Sequence, residues 1–268
     1  MKSAQFEPKF ILSLTFNAIA LILALVLIAK KGGIPYILSK IRSTPPETFS
    51  QSWSNIYYQH RRSLFEGLPK VSSPIIFLGD SLTDSCEWNE ILNHPQILNR
   101  GIIGDTTAGV LDRLNPILAS QPRQIFLMIG INDLARKKDF SGILVNYQQI
   151  LTTIHQQSPQ TKVYVKSVLP INKKLFEKGP SNEMIRNLNT QLQQLSDNFS
   201  YSYIDLHSQL VDENQQLDER YTIDGLHLNG TAYLIWKAAI ENYVERDTQV
   251  LDDQQQMTND QQPTTNDQ

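Results

Sequence analysis

The chain has one cysteine, Cys86, so no disulfide can form within it. Its five histidines never occur at the H-E-x-x-H spacing, and no Cys, His or acidic cluster matches a structural zinc site. A glycine-rich phosphate loop and internal repeats are also absent. The formal net charge of −3 gives no reason to expect a nucleic-acid partner. The sequence therefore predicts neither a metal nor any other cofactor.

An uncharged, almost wholly apolar run occupies residues 10–29. As a helix, a run of about 20 residues spans roughly the 30 Å of a bilayer core. A cleaved signal peptide has a shorter apolar run and a small-x-small site, whereas Lys30 and Lys31 follow directly here. A buried core helix fits less well, because no face of the run is polar apart from three residues near one end. The sequence therefore predicts one uncleaved N-terminal transmembrane helix.

Basic residues flank both ends of this run. They are Lys2 and Lys9 before it, and Lys30, Lys31, Lys40 and Arg42 after it. By the positive-inside rule, the small excess after the run favours the cytoplasmic side for the rest of the chain. With so small a difference, the sequence leaves the membrane face open.

Changes in composition divide the chain into four parts. Residues 1–31 are the predicted anchor, 32–73 a connector and a helix, 74–246 the main domain, and 247–268 a tail. The connector begins with paired glycines and later has paired prolines, which are typical of an irregular segment. The tail consists mainly of Gln, Asn, Asp and Thr, so it cannot bury enough apolar surface to offset the entropy of ordering. We therefore predict that the tail is disordered.

A helix is predicted just before the main domain, from apolar residues at helical spacing: Trp53, Tyr57, Leu64 and Leu68. Ser50 or Ser52 is a suitable cap for its start, and Gly67 with Pro69 would end it. The basic pair Arg61 and Arg62 would suit a helix on a membrane surface. Packing onto the main domain is the simpler explanation of the apolar positions.

Past Pro74, apolar runs alternate with amphipathic helical stretches, a pattern typical of a parallel α/β sheet. The runs predict strands at 75–78, 125–129, 163–168 and 201–205, with a shorter one at 96–99. Helical spacing predicts four helices, whose apolar residues fall within 110–118, 140–154, 185–195 and 232–243. The main domain is therefore predicted to have an α/β fold.

The first strand of this domain runs directly into the turn Gly79-Asp-Ser81. A parallel strand that ends in a tight turn places its last residues at the carboxyl edge of the sheet, where open α/β folds have their sites. Ser81 is therefore a candidate nucleophile. The alternative is that Ser81 only caps the following helix, which is common for serine at such turns.

Two further loops that follow strands carry groups able to stabilise negative charge. Gly104 precedes Asp105 and Thr106, which are good helix caps, so its backbone N–H lies next to a predicted helix N-terminus. Asn132, directly after the strand at 125–129, can donate its amide N–H to an oxyanion. The alternatives are structural, since glycine permits unusual backbone angles and asparagine favours turns.

A serine nucleophile requires a base, and the imidazole in turn requires a carboxylate that fixes its tautomer and stabilises its cation. Asp224 and His227 supply both groups within Asp-Gly-Leu-His. Their three-residue separation lets one turn bring both side chains to the same side. The rival base is His207, which follows Asp205 by two residues.

Together these blocks resemble the SGNH or GDSL-type hydrolase family. They read Gly79-Asp-Ser81-Leu, Gly104 in Ile-Gly-Asp, Asn132 in Gly-Ile-Asn-Asp, and Asp224-x-x-His227, in the family's order. Two further segments, at 167–170 and 226–236, resemble the acetylhydrolase-like branch of that family. The resemblance covers residues 74–246. It implies a flavodoxin-like three-layer α/β/α domain with a parallel sheet, which hydrolyses carboxylic esters without a metal. The α/β-hydrolase pattern G-x-S-x-G fits less well, because Thr83 stands in place of its second glycine.

The resemblance also implies a role for each of these residues. Ser81 attacks the ester, His227 accepts its proton and Asp224 orients the imidazole, while the N–H groups of Ser81 and Gly104 and the amide of Asn132 form an oxyanion hole. The implied substrate is an ester with a modest acyl group, such as a lysophospholipid or an acetylated carbohydrate. An O-acyltransferase that modifies envelope glycans at the same site stays open as an alternative. A non-catalytic binding module is a third, and the presence of all four blocks argues against it.

Overall fold

The protein is described by a computed structural model that covers residues 48–244 and Lys30. The chain divides into two compact units, Met1–Asn55 and Ile56–Gln268, and every contact discussed below lies within the second unit. The predicted membrane segment at 10–29 and the predicted tail at 247–268 lie outside the described residues. None of the helices in the described ranges has the length and apolar character needed to cross a bilayer.

Five parallel strands form one sheet in the order β2-β1-β3-β4-β5. Their bounds are β1 (Ile75–Gly79), β2 (Ile97–Gly101), β3 (Gln124–Met128), β4 (Lys162–Lys166) and β5 (Ser202–Ile204). Every residue of β1 and β3 is buried, because helices cover both faces of the sheet. The predicted parallel α/β fold is confirmed, and the strand order is that of flavodoxin-like sheets.

The helices connect the strands and cover the sheet. They are α1 (Thr48–Gly67), α2 (Ser81–Asp84), α3 (Trp88–Ile91), α4 (Thr107–Asp112), α5 (Leu114–Leu118), α6 (Ile131–Ala135), α7 (Phe140–Gln157), α8 (Asn182–Asn198) and α9 (Gly230–Ile240). Short 3₁₀ turns lie at His207–Gln209, Glu219–Tyr221 and Glu241–Tyr243. The helix predicted just before the main domain ends at Gly67 as expected. It begins at Thr48, however, so the serines proposed as its cap lie inside the first turns.

Two different cores lie on the two faces of the sheet. One face packs against α4, α5, α7 and α8 through a mainly aliphatic cluster that includes Ile76. The other packs against α3 and α9 through a cluster rich in aromatic rings. There Phe77 stacks on Trp88 and Phe126, with ring centroids 4.5 and 4.8 Å apart. Successive residues of β1 point to opposite faces, so the domain has three layers, α/β/α.

One predicted helix is divided into two in the structure. The apolar residues at 110–118 predict a single helix, whereas α4 ends at Asp112 and α5 begins at Leu114. The cause is Pro116, which has no N–H to donate to the carbonyl of Asp112 four residues earlier. The chain therefore bends at Arg113, and the side chain of this residue can turn inward.

Lys166, the last residue of β4, is fully buried among the aromatic rings. Its Nζ lies 4.7 Å from the ring centroid of Trp236 and 4.9 Å from that of Phe77, and two further rings lie at 5.7 and 6.0 Å. No described residue accepts a hydrogen bond from this amine. Burial lowers the pKa of Lys166 to about 7, and the charge of Asp80 partly opposes that shift. Burial also raises the pKa of Asp80 to about 7.

We expect Lys166→Met to stabilise the protein at pH 6, because an apolar side chain replaces a cation that is buried without hydrogen bonds. A lowered pKa in the folded state means that the unfolded chain binds more protons above about pH 7. The contribution of Lys166 to wild-type stability therefore rises with pH in that range, and the gain from Lys166→Met should be larger at pH 6 than at pH 9. Urea unfolding at both pH values measures it.

Lys162→Met is the matched control, since Lys162 starts the same strand and is exposed. It should change the unfolding free energy much less. If Lys166→Met instead destabilises the protein at pH 6, the aromatic rings hold the ammonium ion favourably and the desolvation argument is wrong.

Candidate active site

The turn after β1 leaves the hydroxyl of Ser81 free to meet a partner outside the turn. Asp80, not Ser81, caps α2, because its carboxylate accepts a hydrogen bond from the N–H of Leu82 at 3.0 Å. Ser81 is the first residue of α2 and is 6% exposed. Gly79 is required beside it, since a Cβ there would lie 2.3 Å from the carbonyl oxygen of Met128. The alternative in which Ser81 acts only as a cap therefore does not describe this turn.

Ser81, His227 and Asp224 form one continuous chain of polar contacts. Ser81 Oγ lies 3.1 Å from His227 Nε2, and His227 Nδ1 lies 2.6 Å from Asp224 Oδ2. Asp224 Oδ1 also accepts hydrogen bonds from the backbone N–H groups of Leu226 and His227. The serine is buried, whereas the other two side chains are about half exposed, at 46% for His227 and 54% for Asp224. The imidazole and the carboxylate are therefore open to solvent, whereas the serine is largely covered.

The hydrogen bonds around Asp224 keep its carboxylate ionised. Burial pushes the pKa of Asp224 upward, but hydrogen bonds from the His227 ring and from the N–H groups of Leu226 and His227 outweigh it. The net result lowers the pKa of Asp224 to about 2. A negative charge therefore lies next to the imidazole at every pH at which such a domain is ordinarily studied.

The loop that carries these two residues is fixed by its own backbone. The N–H of Gly225 donates to Thr222 Oγ1 at 2.9 Å, and the carbonyl of Gly225 accepts from the N–H of Asn172 at 2.8 Å. Gly225 has a φ of 83°, which glycine adopts without strain. These contacts join the loop to the segment after β4, so the position of the imidazole follows from the fold.

His207, the rival base, is not part of the chain of polar contacts that joins Ser81, His227 and Asp224. Its backbone N–H donates to Ser167 Oγ at 2.8 Å, and its ring is buried. In the part of the chain that the structure describes, its Nε2 has no hydrogen-bond partner. Burial lowers the pKa of His207. The structure thus brings His227, and not His207, to the serine.

Gly104 and Asn132 lie at the same edge of the sheet as Ser81. Gly79, at the end of β1, is in register with Gly101 in β2 and Met128 in β3, so the loops that follow these strands are neighbours. Gly104 has a φ of 75°, and its N–H finds no acceptor among the described residues. Asn132 Nδ2 donates one hydrogen bond to the backbone carbonyl of Asp105, in the loop after β2, at 2.9 Å. Its second amide N–H is left for another acceptor.

Two buried polar contacts that the sequence analysis missed join these loops. Arg113 is 3% exposed, and its guanidinium bonds to Asp105 at 2.8 Å and to the carbonyl of Gly79 at 3.1 Å. Thr107 donates from its N–H and its hydroxyl to Asp133, at 3.0 and 2.8 Å. From the sequence alone, Asp105 and Asp133 are recognisable only as residues that favour helix caps and turns. Nothing in the sequence pattern indicated that the arginine turns inward.

A metal site is not formed by the described residues, which contain no group of three or more His, Cys, Asp or Glu side chains suitably placed. The groups that meet at the sheet edge are a hydroxyl, an imidazole, a carboxylate and several N–H donors. Such a set can activate a nucleophile, move a proton and hold a developing negative charge. This is the chemistry of acyl transfer.

Comparison with known proteins places this arrangement among hydrolases. A sequence model of the GDSL-like Lipase/Acylhydrolase family matches residues 77–235. The platelet-activating factor acetylhydrolase IB subunit alpha2 of Gallus gallus is 28% identical over 182 residues, which cover 65% of this chain and 77% of that protein. The human protein of the same name is 27% identical over the same length.

Solved structures show the same architecture. A structure from Streptococcus pneumonia, described as a candidate platelet activating factor, is 27% identical with a TM-score of 0.67, and the match covers 72% of this chain and 95% of that one. A GDSL-like lipase from Bacteroides thetaiotaomicron VPI-5482 has a TM-score of 0.61 at 22% identity, over 69% and 96% of the two chains. That likeness concerns the fold. Because the family match covers more than half of the chain and spans the strand, turn and loop that bring a serine to a histidine, this chain belongs to the GDSL-like lipase/acylhydrolase family and is a carboxylic ester hydrolase.

Proposed function

We propose that the protein hydrolyses its ester through an acyl-enzyme formed on Ser81. The observation that carries the proposal is the unbroken path from Ser81 Oγ to His227 Nε2 at 3.1 Å, and from His227 Nδ1 to Asp224 at 2.6 Å. A hydroxyl is a weak nucleophile until a base accepts its proton, and this path supplies both the base and the carboxylate that orients it.

In the proposed reaction, Ser81 Oγ attacks the acyl carbonyl carbon while His227 Nε2 accepts the serine proton. The tetrahedral intermediate collapses, and the alcohol leaves with that proton. Water then attacks the acyl-enzyme, again with His227 as the base, and the carboxylic acid is released. Asp224 stays ionised throughout, in keeping with its lowered pKa of about 2, and stabilises the imidazolium.

The negative charge of the intermediate requires donors that are already in place. We assign this role to the backbone N–H groups of Ser81 and Gly104 and to the amide of Asn132. Two facts support the assignment: the N–H of Gly104 has no acceptor in the described residues, and Asn132 uses only one of its two amide hydrogens on the neighbouring loop. Donors that are held before the reaction need no reorganisation during it.

The substrate that we favour is an ester with a modest acyl group, such as a lysophospholipid or an acetylated carbohydrate. The relatives named acetylhydrolases support the acetyl ester. We also propose that the run at 10–29 anchors the protein in a membrane, because its length and lack of charge match a bilayer core. The basic residues after the run favour the cytoplasmic face.

The first experiment tests the nucleophile. We expect Ser81→Ala to lower kcat by roughly 10⁶, while the free energy of unfolding changes by only about 1 kcal/mol, the contribution of one hydrogen bond. Release of free acid from an acetyl-ester panel measures the rate, and thermal melting measures stability. Ser85→Ala is the matched control, since Ser85 is exposed at the end of the same short helix.

Unchanged turnover by Ser81→Ala would remove Ser81 as the nucleophile. In the same assay, a sugar acceptor is added to the wild type. We expect free acid to remain the main product, and transfer of most acyl groups to the sugar would support the acyltransferase instead.

A second experiment tests the oxyanion donor. We expect Asn132→Ala to lower kcat by roughly 10²–10³ with little change in KM, because the donor acts on charge that develops in the transition state. Asn132→Asp should be at least as harmful, since it places an acceptor where the oxyanion forms. Thr107→Val is the control, because it removes a hydrogen bond between the same loops but no oxyanion donor. It should lower the melting temperature, and it should lower kcat much less than Asn132→Ala does. A nearly normal kcat in Asn132→Asp would contradict the assigned role.

The membrane anchor is tested by fractionation. We expect the full chain to remain in the membrane pellet after an alkaline carbonate wash, and a chain that lacks residues 1–46 to be soluble and active, because α1 and the whole site lie beyond that point. Replacing Leu23 and Leu25 with lysine is the control, since charges in the middle of the run should impair insertion. Release of the full chain by carbonate would rule out a transmembrane anchor.

A further inference from the structure

A pocket of about 200 Å³ lies beside β2, the strand at one edge of the sheet. Its walls come from the last turns of α1, from β1 and β2, and from α5. The large apolar side chains that line it include Phe65, Leu68, Ile76, Leu98 and Ile117. An apolar cavity of about 150 Å³ is large enough to bind benzene, so this pocket has room for a short aliphatic chain.

The pocket is separate from the site described above. Neither the proposed triad nor the proposed oxyanion donors line it; Arg113, which joins the loops of that site, is shared by the two. Leu98 and Arg100 are two residues apart in β2, so their side chains emerge on the same face of the strand, and both line the pocket. One strand thus places an apolar group and a cation side by side.

Among the cations that line this pocket, Lys70 and Arg100 form no ion pair with a described carboxylate. Lys70 is exposed, and Arg100 is half-buried. Its Nη1 donates to the carbonyl of Asn99 at 3.0 Å, and its guanidinium lies 4.7 Å from the ring centroid of Phe65. No carboxylate in the described residues forms an ion pair with it. By contrast, Arg62 pairs with Glu66, which also lines the pocket, and with Asp112, which does not. Arg113 pairs with Asp105.

Two further guanidinium groups lie near Arg100, those of Arg61, which pairs with Asp84, and Arg113. Arg61 lies over the same ring of Phe65 at 4.6 Å, and Arg113 lines the pocket with its Nη1 buried and without an acceptor. Burial, followed by repulsion from Arg113 and Arg61, lowers the pKa of Arg100 to about 10. A half-buried cation next to like charges is costly unless an anion compensates it. An anion beside Arg100 would provide that compensation.

We propose that this pocket binds an anionic amphiphile, namely a carboxylate with a short aliphatic chain. The carboxylate lies on the Arg100 guanidinium, which can form two parallel hydrogen bonds with it. The chain lies between Phe65, Leu98 and Ile117. Such a ligand contacts both α1 and the sheet, and its binding does not require the proposed role of Ser81.

The test is a calorimetric titration of octanoate into the full-length protein in neutral-lipid nanodiscs, with empty nanodiscs as the blank. Octan-1-ol tests the need for the charge, and acetate tests the need for the chain. We expect octanoate to bind at least about tenfold more tightly than either, the difference that a charge-assisted hydrogen bond or a few buried methylenes produce.

Substitutions then locate the ligand. Arg100→Gln removes the cation, and Ala119→Leu fills the pocket from an exposed position at its rim. Each should weaken octanoate binding about tenfold or more. Arg186→Gln is the matched control, because it removes one positive charge from an exposed position on α8, outside the pocket. Ser81→Ala should bind octanoate like the wild type.

Four outcomes would overturn the proposal: no binding of octanoate, equal binding of octan-1-ol, unchanged binding in Arg100→Gln and Ala119→Leu, or loss of binding in Ser81→Ala. The last would place octanoate in the catalytic site. Melting temperatures establish that each variant is folded. If Arg100→Gln does not fold, Ala119→Leu carries the test, since this exposed position tolerates a larger side chain.

Discussion

The buried contact of Arg113 with Asp105 and with the carbonyl of Gly79 holds together the loops from which the site is built. It joins the end of β1, directly before the serine, to the loop that carries Gly104. The hydrogen bonds from Thr107 to Asp133 extend this connection to α6, the helix that also carries Asn132. Breaking a buried ion pair by removing one partner costs about 3–5 kcal/mol. The relative positions of the three proposed oxyanion donors therefore rest on side chains that take no part in the chemistry.

The strands were predictable because both faces of this sheet are covered. Burial on both sides forces nearly continuous apolar runs, so β1 and β3 are visible in the sequence as such. The turn at Ser81 and the spacing of Asp224 and His227 were predictable for a different reason. Each is a local pattern whose residues are only a few positions apart in the chain.

What the sequence did not reveal depends on contacts between distant parts of the chain. In the sequence, Arg113 falls within a run that predicts a single helix. In the structure it lies at the break before α5, and its side chain bonds to Asp105. Lys166 interrupts an apolar run, but its burial follows from rings contributed by other elements, such as Trp236. The guanidinium groups of Arg61 and Arg100 both lie over the ring of Phe65, and these contacts likewise join α1 to β2. Neither periodicity nor a short motif contains that information.

Asp224 and His227 lie in one short turn, and this simplifies what the fold must achieve. Their mutual distance is set by four consecutive residues and their own backbone hydrogen bonds. Only the gap between Ser81 and His227, which are 146 positions apart in the chain, has to be set by tertiary structure. A triad whose members come from three separate loops has two such gaps to maintain. During evolution, or in protein engineering, the proposed acid and base can therefore be inherited or transplanted as one segment that needs a single alignment with the serine.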